Sequence, residues 1–235
     1  MDSMYPMSIW KTARPEDVGM DSGKFAASRQ CLDMLVPDKP YRVAIVRHGY
    51  LVAEWLRQME ATQEVHIASA MKSVLSNMLG IAIEEGHIDA VTDPVGKYIE
   101  EWRDDPRGTA TIQQTLWMAA GLEQMTTSYD INIFDRGTWY NFGDDFNGML
   151  LDLDQVDKPG TKFDYNNEET NLLGILIERA TGQRYADYLS EKLWAPLGLA
   201  DAAMYQDRPG GAVMKSCCIF SRPYDWTKIG LLIAN

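Results

Sequence analysis

The sequence predicts an α+β fold on two observations. Two runs of strand-forming residues flank a turn dipeptide near residue 48, and helical periodicity dominates from residue 69 onward. No repeat, linker or low-complexity segment divides the chain, so a single domain over 1–235 is expected. With 235 residues and 46% hydrophobic content, the chain can bury a substantial core.

The elements follow in order. A first helix is predicted from near Asp21, carrying Phe25, Cys31, Leu32 and Leu35 until Pro37 stops it. Tyr41 to Arg47 and Tyr50 to Leu56 read as strands around His48-Gly49, a hairpin that needs a larger sheet to be stable. From Ser69 to Glu85, Met71, Val74, Leu75, Met78, Leu79, Ala82 and Ile83 recur every three or four residues, with Gly86 as a C-terminal stop. Further helices are expected over about 112–119, 168–180 and 185–194. Residues 122–160 read as long loops, with Pro159-Gly160 marking a turn. No strand is predicted after residue 165, and an apolar helix from Tyr224 ends the sequence.

Composition excludes several classes of function. Lys plus Arg number 22 against 34 Asp plus Glu, a net charge of −12 that repels phosphate backbones and anionic headgroups. Nucleic-acid and membrane partners are therefore not expected. No apolar run reaches the ~18 residues needed to span a bilayer. The N-terminus lacks a basic start followed by an apolar stretch, so a cytoplasmic location is expected. Cys31, Cys217 and Cys218 are read as reduced, partly buried thiols, because a bridge between adjacent cysteines would be strained.

The chemistry-bearing candidate is Ser69-Ala70-Met71-Lys72. At a helix start, Ser at i and Lys at i+3 share a face one turn apart, so the amine can reach the hydroxyl. Free N–H groups at the helix N-terminus favour an anionic intermediate there. A desolvated lysine has a lowered pKa and can take the serine proton. The competing reading is an N-cap serine beside a snorkelling lysine. Ser8 and Lys11 share the spacing but lie in a segment without helical period, between Pro6 and Pro15, and are taken as coincidence. A second candidate is Tyr165-Asn166-Asn167, just before a helix. A Tyr-x-Asn there can bring a phenol to the hydroxyl and an amide to the substrate, or simply serve as a turn tyrosine and a capping asparagine.

These motifs stand in order with Leu116-Trp117-Met118-Ala119-Ala120-Gly121-Leu122, the run from Asn171 to Gly182, and Pro196-Leu197-Gly198-Leu199. Together they resemble the serine β-lactamase and penicillin-binding protein superfamily, especially its class C-like esterases and 6-aminohexanoate hydrolases. The resemblance runs from about Trp10 to the end of the chain. It implies an antiparallel sheet flanked by helices plus a mainly helical lobe. It also implies a hydrolase of small ester or amide substrates that needs no cofactor or metal. Ser69 matches the acylated nucleophile, Lys72 its proton-accepting neighbour, Tyr165 the second acid/base group and Asn167 the substrate-orienting amide. Which of Lys72 and Tyr165 takes the first proton is left open, as is homo-oligomerisation.

The family's third motif, Lys or His, then any residue, then Gly on a C-terminal strand, has no counterpart. Lys158-Pro159-Gly160 falls in a turn and Lys228-Ile229-Gly230 in the last helix. A chain truncated before those strands is expected, with weakened activity, since losing one oxyanion donor costs ~3 kcal/mol. The alternative is a non-catalytic relative acting in binding or as a scaffold. True β-lactamase activity is less favoured.

Overall fold

The computed structural model describes residues 10–125 and 134–234. In chain order its elements are α1 (Ser22–Leu35), β1 (Tyr41–Arg47), β2 (Tyr50–Arg57), β3 (Val65–Ile67), α2 (Met71–Glu84), α3 (Ile112–Leu116), α4 (Arg136–Phe142), α5 (Phe146–Leu151), α6 (Asn167–Thr181), α7 (Tyr185–Leu189), β4 (Ala203–Met204), β5 (Ile219–Ser221) and α8 (Pro223–Ala234). The described residues fall into two compact units. One takes the chain up to His66 with Trp194–Ala202 and the segment from Phe220 onward; the other takes Ile67–Leu193 and Ala203–Ile219. The short strands β3, β4 and β5 sit where the chain passes from one unit into the other.

The first unit is built on the hairpin. β1 and β2 pair antiparallel from Tyr41 opposite Arg57 to Arg47 opposite Tyr50, with an irregularity between Ile45 and Val46. His48 and Gly49 both take positive φ, 51° and 78°, the two-residue turn whose twist matches that of the strands. Trp55 is buried with its ring 5.3 Å from that of Phe25 on α1. On α8, Tyr224 donates to Glu54 and lies under the Arg42 guanidinium, 4.2 Å from the ring centre, while Arg42 Nε donates to Glu54 at 2.7 Å.

The second unit is a helical lobe packed around α2 and α6. The periodicity of α2 becomes a buried face of Met71, Val74, Leu75, Met78, Leu79 and Ala82. Each of the valine, leucine and methionine side chains contributes about 1.5–3 kcal/mol by leaving water. Through residues 168–177 α6 is buried on all sides, which is why its polar residues need partners. It starts at Asn166, whose side chain accepts from Glu169 N, and ends at Gly182 with φ 70°. Trp102 is fully buried and its Nε1 donates to Leu151 O at 3.0 Å. Gly96 and Gly108 permit a close backbone approach there, and a Cβ on Gly108 would sit 1.9 Å from Trp102 O.

Three expectations are corrected. Residues 134–160 are not loops throughout: α4 and α5, each under eight residues and capped by Asp135 and Asp145, are too short to show a period. The rest of that segment, 126–133, lies outside the described residues, as does Ser8. Strands do occur after residue 165, but β4 and β5 are two and three residues long, too brief for an alternation pattern. Cys217 and Cys218 are joined as a disulfide, with Cys218 at φ 71°; Cys31 is a free thiol, but exposed rather than partly buried. The remaining helices fall close to their expected ranges, and Lys228-Ile229-Gly230 lies inside α8.

Candidate active site

Ser69 is exposed and stands just ahead of α2, in a turn closed by Lys72 N donating to Ser69 O at 3.0 Å. The helix N-cap is Ala70, which makes no side-chain capping bond, so Ser69 is not spent as a cap. One turn on, Lys72 Nζ donates to Ser69 Oγ at 3.2 Å, to Asn167 Oδ1 at 2.7 Å and to Ser216 O at 3.0 Å. It also lies 5.1 Å from the centre of the Tyr165 ring. Ser69, Lys72, Tyr165 and Asn167 are thus gathered in one unit, and Ser216 joins them.

Tyr165 is placed by its backbone. Asp164 N donates to Met118 O, Gln124 Nε2 donates to Tyr165 O at 2.8 Å, and Asn166 caps α6 while its Nδ2 donates to Leu122 O. Capping therefore falls to Asn166, which leaves Asn167 free to face Lys72. The 116–122 block is held in turn by Glu169, whose carboxylate accepts from Ala120 N at 3.0 Å and Leu122 N at 3.4 Å. Gly121 at φ 78° packs so tightly that a Cβ would lie 2.2 Å from Asp157 O.

Burial and hydrogen bonding shift both titratable groups of the cluster. Burial lowers the Lys72 pKa, against the raising influence of Tyr165 and Glu168. Burial of the Tyr165 phenol pulls its pKa up, but hydrogen bonds with Ser69 and Lys72 and the lysine charge outweigh it, leaving it lowered. Behind them Glu168 and Glu169 are both raised to about 7 by burial. Among the described residues, no group of three His, Cys, Asp or Glu side chains is placed to hold a metal ion. No helix among them is long and apolar enough to cross a membrane.

Sequence reasoning missed Ser216, Asn171 and Glu168. The Ser216 contact is made by a main-chain carbonyl and leaves no signature in the sequence. Asn171 could have been found, because it lies one turn after Asn167 on the same helical face.

The beta-lactamase family model matches residues 41–216, three quarters of the sequence. The chain belongs to that family. Among similar proteins, the 6-aminohexanoate-dimer hydrolase of Paenarthrobacter ureafaciens is 28% identical over 177 residues, covering 71% of this chain and 45% of its own. Protein flp of Staphylococcus aureus is 25% identical over 163 residues, covering 68% and 32%. In structure, a candidate 6-aminohexanoate-dimer hydrolase of Bacillus anthracis superposes with a TM-score of 0.73 at 26% identity, covering 86% of this chain and 56% of that one. This beta-lactamase-family chain therefore spans less than half the length of these curated relatives.

Proposed function

We propose that this chain is a serine hydrolase of small ester or amide substrates, working through an acyl-Ser69 intermediate. The supporting observation is the set of acceptors around Lys72. As an ammonium, Lys72 has three N–H groups for three oxygens. As a neutral amine it keeps two, and Asn167 Oδ1 and Ser216 O are carbonyl oxygens that can only accept. Both hydrogens are then committed, and the lone pair is left facing Ser69 Oγ at 3.2 Å. That is the geometry of a general base beside its nucleophile.

In this reading the Lys72 lone pair takes the Ser69 hydroxyl proton as Oγ bonds to the substrate carbonyl carbon, whose π pair moves to oxygen. Collapse of that oxyanion expels the alcohol or amine, which receives a proton from the Tyr165 phenol. The tyrosinate is reprotonated by the Lys72 ammonium. Water then attacks the acyl ester, giving its proton to the same groups, and Ser69 leaves with a proton restored. The relative named above as a hydrolase of a 6-aminohexanoate dimer favours a small amide or ester. The test is turnover of a p-nitrophenyl ester: Ser69→Ala is expected to abolish it. Full turnover in that variant would overturn the assignment.

A further inference from the structure

Lys72 is directed partly by a main-chain carbonyl, so something must hold that stretch of backbone still. The 215–216 peptides belong to no helix or strand. Their N–H groups are nevertheless satisfied, because Asn171 Oδ1 accepts from Lys215 N at 2.7 Å and from Ser216 N at 2.8 Å. The other end of the same amide is fixed as well: Nδ2 lies 2.6 Å from Tyr140 Oη, 2.9 Å from Asn167 O and 2.9 Å from Ser216 Oγ. Asn171 is fully buried, and Tyr140 behind it nearly so. It therefore ties α6 to the segment whose carbonyl receives Lys72, through hydrogen bonds that involve neither Ser69 nor Lys72.

Resting on the hydrolase reading above, we propose that Asn171 is a positioning residue: by clamping the 215–216 backbone it aims Ser216 O at Lys72 and so keeps the amine lone pair on Ser69. Losing the clamp frees the carbonyl to swing away, the third acceptor is lost, and the amine can point its remaining hydrogens elsewhere. Misplacement of about 1 Å at a reacting group typically costs about a hundredfold in rate. Water entering beside Lys72 also relieves the burial that depresses it. Its titratable neighbours, Tyr165 and Glu168, are unchanged, so the acid limb of the rate profile moves to higher pH.

The experiment is the rate at which a p-nitrophenyl alkylphosphonate labels Ser69 in the full chain, measured by mass spectrometry across pH 5–10. Ser69 Oγ displaces p-nitrophenolate from phosphorus and the serine proton passes to Lys72, so labelling reads the first step without needing turnover. Asn171→Leu, with native circular dichroism, is expected to label about a hundredfold more slowly with its acid limb shifted upward. Asn171→Asp, kept protonated by its burial, still accepts both N–H groups through one oxygen while the other donates to Asn167 O, and is expected to label within about threefold of wild type. An Asn171→Leu chain that labels like wild type with an unmoved limb overturns the positioning role. So does a natively folded Asn171→Asp chain that has lost the hundredfold, which decides the matter if the leucine variant does not fold. Wild type that gives no adduct on Ser69 overturns the hydrolase reading instead.

Discussion

Raising the pH from 5 to 8 should weaken the fold, and the reason lies at the start of α6. Glu168 and Glu169 are 1% and 2% exposed, and burial lifts each from 4.5 to about 7. Between those values the folded chain holds protons that the unfolded chain has released, so stability falls as pH rises. The contribution is complete below about 4.5 and gone once pH passes through about 7. For one carboxyl this amounts to about 3 kcal/mol. At a urea slope of about 3 kcal/mol/M that moves the midpoint by about 1 M. Glu101, drawn down to about 2 by Arg179, is ionised throughout this window and adds no slope. The lowered lysines Lys72 and Lys215 act with the opposite sign as pH climbs toward 10.5, so a paired comparison isolates the carboxyls. Glu168→Gln imitates the neutral acid, keeping an oxygen for Met125 N, which donates to Glu168 Oε1 at 3.1 Å. Urea unfolding followed by tryptophan fluorescence should show wild type losing midpoint from pH 5 to 8, and Glu168→Gln losing about 1 M less. A wild-type midpoint that holds or rises over that range, or an equal decline in the variant, refutes the reasoning.

Three other outcomes are expected. Lys72→Met should slow phosphonate labelling of Ser69 by about 10²–10⁴-fold, the range for loss of a general base, and a rate within threefold of wild type would contradict its role. In Tyr165→Phe, acyl transfer from a p-nitrophenyl ester should suffer less than from an anilide of the same acid, because the poorer leaving group needs the phenol's proton; equal losses would remove Tyr165 from that step. Gly108→Ala forces a methyl onto Trp102 O and should lower stability by at least about 1–3 kcal/mol, read as a fall in Tm; an unchanged Tm would mean that the backbone there yields freely.

Much of the site was legible because its groups are close in sequence or mark an element boundary. The 3.6-residue period from Met71 to Ala82 put Lys72 on the same face as Ser69, and Tyr165-Asn166-Asn167 sits where a helix begins. The hairpin was legible because His48-Gly49 fits a two-residue turn. What escaped was carried by short or main-chain features. Two helices held by aspartate caps have too few turns for a repeating stripe. The Cys217–Cys218 bond joins sequence neighbours, one of them in a left-handed backbone conformation that its residue type does not announce. The Ser216 carbonyl is common to all residue types, and only the fold brings it 144 positions back to Lys72.

Ser69, Lys72, Tyr165, Asn167, Asn171 and Ser216 all belong to the helical unit and none to the hairpin unit. The proposed proton relay thus lies within one body of the protein. The hydroxyl, amine and phenol are all carried by that unit's own segments. A survey of random variants should accordingly find many hairpin changes that spare nucleophilicity, and few such changes along the inward faces of α2 and α6.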